Sequence, residues 1–111
     1  MPDCFTSLGG NQFLDSPILG KWSSWLNGPL KNELSQRYST NGKFALFGKS
    51  SGGYGALHNA LHHPGQWHAI ASHSGDAGFE NLYQADFHKT ATRINRVGNL
   101  EKFLNWARAN S

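Results

Sequence analysis

Phe44-Ala45-Leu46-Phe47-Gly48-Lys49-Ser50-Ser51-Gly52-Gly53-Tyr54-Gly55-Ala56-Leu57 is the stretch that decides the fold. Its first four residues are a continuous apolar run of strand length. Such runs suit strands buried on both faces of a parallel sheet. Leu57, Ala60 and Leu61 then recur at helical spacing. His62 and His63 fall in the last turn of that helix, and Pro64-Gly65 stops it. Between strand and helix sits G-x-S-x-G, with Ser50 at its centre. A serine there rides a strained strand-to-helix turn that projects its side chain into a cleft. Glycines two residues on either side remove Cβ atoms that would clash in so tight a turn. The pattern therefore predicts Ser50 as a nucleophile and the Ser51 backbone N–H as an oxyanion donor. The following helix points its positive end at the same place. The bare pattern is common in a Gly/Ser-rich chain. Its setting decides against an ordinary Gly-rich turn, because the strand ends just before Gly48 and the helix begins just after Ser51.

Two phosphate-binding loops share part of this pattern and both fail. Gly48-Lys49-Ser50 ends like a P-loop, but that motif needs four residues between its glycines. Gly42 lies one residue too far, and the segment between is strand-like. The G-x-G-x-x-G fingerprint also fails, since Gly53-x-Gly55 meets His58 at its last position.

Outward from the motif, residues 1–19 are punctuated by Pro2, Gly9, Gly10 and Pro17 and read as a long loop. Trp22, Leu26, Leu30, Leu34 and Tyr38 recur every four residues, which predicts helix over 20–38. Gly28-Pro29 splits it into two helices, because Pro is tolerated in a first helical turn. Residues 67–72 read as a second strand, 75–78 as a loop, and 79–98 fit neither pattern. Asn99 is a candidate N-cap for a closing helix lined by Leu100, Phe103, Leu104 and Ala107. Helix, strand, helix, strand, helix implies crossover connections, a parallel sheet and an α/β fold. Two strands make a thin core.

A nucleophilic serine needs a base and an acid that orients it. Among six histidines, His58, His62 and His63 ride the helix away from Ser50. His68 lies within the second strand. His73 and Asp76 sit at that strand's carboxyl end, the edge where open α/β sheets place their sites. Asp76 followed by His88, or Asp86 followed by His88, satisfies the chain order serine, acid, histidine. Both pairs stay open at this stage. His62, His63 and His68 read as helix-end and strand-flanking residues, so neither metal nor cofactor is expected.

The chain has 111 residues and a net charge of +3, with its basic residues scattered from Lys21 to Arg108. A nucleic-acid surface would cluster them, so none is expected. No apolar run nears the roughly 20 residues a membrane span requires. Cys4 cannot form an internal disulfide and reads as a small buried hydrophobe. The start of the chain shows no basic-then-apolar leader. Both features fit a cytoplasmic setting.

Gly48 to Leu57 followed by His63-Pro64 resembles the putative-esterase family of α/β-hydrolases, which includes esterase D (S-formylglutathione hydrolase) and enterochelin esterases. Pro2-Asp3 is similar to the end of a family strand, and Gly10 to Ser16 to the loop that follows. His73-Ser74-Gly75-Asp76-Ala77-Gly78-Phe79-Glu80 resembles a subgroup of enterochelin-esterase-like hydrolases. The resemblance covers about residues 2–87. It implies a partial α/β-hydrolase fold over residues 1–111, a single partial domain with parallel strands and crossover helices on both faces. It implies hydrolysis of a small carboxylic ester or thioester through an acyl-enzyme on Ser50, with Gly10, Asn11 and Gln12 touching substrate. It also places the second oxyanion donor before Pro2, and the family's acid and histidine beyond Ser111. The chain thus looks like the middle of an esterase domain. The alternative is a non-catalytic truncated or split hydrolase that binds or assembles. Its exposed sheet edge would favour self-association or a complementing chain.

Overall fold

A computed structural model describes residues 5, 6 and 9–110. Cys4 and the Pro2-Asp3 strand end lie outside the described residues. The chain opens with a small antiparallel ladder, β1 (Asp15–Ser16) on β2 (Gly20–Lys21). Two helices follow, α1 (Trp22–Asn27) and α2 (Pro29–Arg37), divided at Gly28 as the Gly-Pro step predicts. Then come β3 (Ala45–Lys49), α3 (Ser51–His62) and β4 (Ala69–His73), the strand-helix-strand unit that carries the motif. The undecided stretch 79–98 is helical, as α4 (Phe79–Leu82) and α5 (Gln84–Val97). The chain closes in α6 (Leu100–Ala109), whose Asn99 side chain caps it by accepting the Lys102 N–H at 2.9 Å.

β3 and β4 pair in parallel, with Leu46 opposite Ile70 and Lys49 opposite His73. No further strand joins this sheet among the described residues. The expectation of strands buried on both faces, with helices on both, does not hold here. α3 packs against both strands. Side chains alternate across a strand, so Leu46 turns toward the helices while Phe47 turns to the other face and stands 87% exposed. Every residue of β4 is exposed. An apolar run satisfies the sequence pattern for a two-sided strand, yet among the described residues nothing covers Phe47.

The core lies between α1 and α3, and its centre is polar. Asn59 on α3 is fully buried. Its Oδ1 accepts from Ser23 Oγ at 2.7 Å and Asn27 Nδ2 at 2.6 Å, both on α1. Its Nδ2 donates to the carbonyls of Phe13 at 3.0 Å and Gly55 at 2.8 Å. One amide therefore binds α1, α3 and the 9–14 segment together, and every bond it can make is made. Trp67 extends the network by donating to Asn27 Oδ1 at 2.7 Å. Asp15 secures the start of α1 from outside, accepting from the Ser24 N–H and hydroxyl, and these bonds hold its carboxyl below the usual range. Among the described residues no helix is long and apolar enough to cross a membrane.

Candidate active site

Ser50 occupies the single-residue step between β3 and α3, with φ 54° and ψ −125°. A non-glycine residue seldom adopts this conformation, which costs on the order of 1–3 kcal/mol. The turn is pinned on both sides. The Ser50 N–H donates to the His73 carbonyl at 3.0 Å, and the Ser50 carbonyl accepts from the Tyr54 N–H at 3.0 Å. Ser51 is the first helical residue, so its N–H has no acceptor within the helix.

The glycine requirement falls unevenly. A Cβ on Gly48 would come within 2.2 Å of the Gly52 carbonyl oxygen, a backbone clash. A Cβ on Gly52 would meet only the Phe13 ring at 3.8 Å, so the sequence argument holds for Gly48 and not for Gly52. A second close approach matters as much. A Cβ on Gly75 would lie 2.9 Å from Gly53 backbone, which shows how tightly the loop after β4 crosses the first turn of α3. That crossing delivers Asp76 to the elbow.

Four donors converge on Asp76. Ser50 Oγ donates to Oδ1 at 3.2 Å. Ser51 Oγ at 2.8 Å, Gln12 Nε2 at 3.1 Å and Tyr83 Oη at 3.1 Å donate to Oδ2. Gln12 Nε2 also donates to Tyr83 Oη at 2.7 Å. The Ser51 hydroxyl above all, then Tyr83, Gln12 and Ser50, hold the Asp76 carboxyl below the usual range, although partial burial opposes them. Burial and the adjacent carboxylate push the Tyr83 hydroxyl up.

A cleft of about 650 Å³ opens beside this cluster. Gly10, Asn11, Gln12, Ser51 and Tyr83 line its polar part, and Leu14, Pro17 and Leu19 its apolar part. The 10–12 segment thus borders the elbow. Asp76 is the sequence candidate that meets Ser50. Asp86 and His88 lie exposed on α5, where Asp86 accepts from Lys89. Among the described residues no histidine side chain hydrogen-bonds Ser50 or Asp76. His58 and His62 stack on each other along α3, rings 3.9 Å apart, and His63 approaches Ser23 at 3.4 Å. Tyr83 is the site residue that sequence reading missed. It sits in the undecided stretch, at the joint between α4 and α5, and no motif marks it.

A family model described as Putative esterase matches residues 16–105. No curated protein and no solved structure matches the chain.

Proposed function

The chain belongs to the Putative esterase family, and from that premise we propose that it hydrolyses a small carboxylic ester or thioester through an acyl-enzyme on Ser50. The family carries the hydrolase role. The observation behind the serine mechanism is the backbone of Ser50, bent to φ 54° between a strand and a helix. Strain of that kind persists only where its surroundings enforce it, and it aims a side chain at a fixed point. In this reading Ser50 Oγ attacks the carbonyl carbon and the Ser51 N–H holds the resulting oxyanion. The alcohol or thiol leaves, and water then releases the acid. Gly10, Asn11 and Gln12 form the wall against which substrate lies. Asp76 is the acid of the site. His88 is the candidate base, taking the Ser50 proton and returning it to the departing alcohol or thiol.

The missing contact with a histidine supports a second reading, a non-catalytic hydrolase piece kept for binding or assembly. The open sheet face that carries Phe47 supports it too. A fluorophosphonate probe separates the two readings, because it labels only an activated serine. Labelling of the folded chain that Ser50→Ala abolishes supports the esterase. A folded chain that does not label, and sediments as an oligomer or captures a complementing chain, supports the second reading.

A further inference from the structure

We propose that Gln12 and Tyr83 are positioning residues that act through Asp76, clamping residues 10–14 as a cleft wall onto the Ser50 elbow. The inference rests on the esterase reading of the site. The Gln12 amide carries two N–H bonds, and both are used, one on Asp76 Oδ2 at 3.1 Å and one on Tyr83 Oη at 2.7 Å. The single Tyr83 O–H goes to the same Oδ2 at 3.1 Å. Gln12 therefore has no N–H left for a substrate, and its role shifts from touching substrate to holding the wall.

The wall is held at two adjacent points. At residue 12 the hold is Asp76. At residue 13 it is buried Asn59, which donates to the Phe13 carbonyl at 3.0 Å. A Cβ on Gly55 would lie 2.9 Å from the Gln12 carbonyl oxygen, so the wall also rests directly on α3. Tyr83 ties the α4–α5 joint to the same carboxylate. Three segments distant in sequence thus meet on one anion beside the nucleophile. A wall displaced by about 1 Å spoils substrate placement without touching the reacting atoms.

The test uses the full chain and two independent readouts. The first is fluorophosphonate labelling, followed by steady-state hydrolysis of p-nitrophenyl butyrate. Gln12→Ala and Tyr83→Phe are expected to raise KM about fivefold and leave kcat within about twofold, the pattern of lost binding geometry. In an Asp76→Asn background, Gln12→Ala should add nothing further. The second readout is amide hydrogen exchange over residues 10–14, expected to quicken on the order of tenfold in both variants and not in Glu101→Gln. Faster exchange with a change confined to KM supports the clamp. Unchanged exchange, or a loss confined to kcat, overturns it. If the parent chain does not label, the esterase reading fails alone, and exchange still decides the clamp.

Discussion

Ser50 Oγ donates to Asp76 Oδ1 at 3.2 Å, so the hydroxyl of the strained elbow rests on a carboxylate. The Gly53–Gly75 crossing brings together two residues that follow the carboxyl ends of neighbouring parallel strands, Ser50 after β3 and Asp76 after β4. That one contact links the stability of the fold to the readiness of the site.

The first consequence is an acid limb in stability. The folded pKa of Asp76 lies below its ordinary 3.8, with Ser51 as the main cause. Its contribution is therefore full above that value and is lost as pH falls through the lower folded pKa. Asp76→Asn should cost about 1 kcal/mol at neutral pH and flatten the stability curve below pH 3.8. Urea melts across the acid range check this. An unchanged acid limb in the variant would show that Asp76 is not held as described.

Strain at Ser50 has a measurable cost. Ser50→Gly and Ser50→Ala both lose the bond to Asp76, but only the glycine variant also removes the penalty of φ 54°. The glycine variant should be the more stable of the two by about 1–2 kcal/mol. Both should lose probe labelling. A glycine variant less stable than the alanine one would mean that the turn is not strained.

Gly48→Ala tests the other half of the elbow. Its Cβ would lie 2.2 Å from a backbone oxygen, and a backbone atom cannot rotate away. The expected loss is about 3 kcal/mol or more, with labelling abolished in whatever remains folded. Gly52→Ala, facing only the Phe13 ring at 3.8 Å, should cost far less. Equal losses at both positions would count against the packing given for the turn. Thermal melts of the pair suffice.

Local chemistry made much of this legible in advance. The step from apolar run to Gly-Ser turn to helical period located β3, Ser50 and α3, and Gly28-Pro29 and Asn99 marked their helix boundaries. What stayed hidden depends on contacts distant in sequence. Phe47 reads as buried because residue type reports what a strand can cover, not whether a partner is there. Gln12 and Tyr83 meet 71 residues apart. Nothing in either residue's neighbourhood announces a shared carboxylate. Asn59 looks like an ordinary polar residue on a helix until α1 closes over it.

Asn59 also gives the sharpest test of the core. Its side chain makes four hydrogen bonds at zero exposure, to Ser23, Asn27, Phe13 and Gly55. Asn59→Ala takes the side-chain donor from the Phe13 carbonyl and the acceptor from the Ser23 hydroxyl and one Asn27 N–H. The lost bonds and the vacated volume together should cost about 3 kcal/mol. Asn59→Leu fills the volume but leaves the same partners unmet, so it should rescue little. Asn59→Asp keeps the acceptor toward α1 and loses the donors toward Phe13 and Gly55. It should therefore free the 9–14 segment while α1 stays docked. Hydrogen exchange resolved by segment reads the difference: protection lost over 9–14 and retained over α1 fits the network. Full rescue by Asn59→Leu would show that shape, and not these bonds, joins α1 to α3.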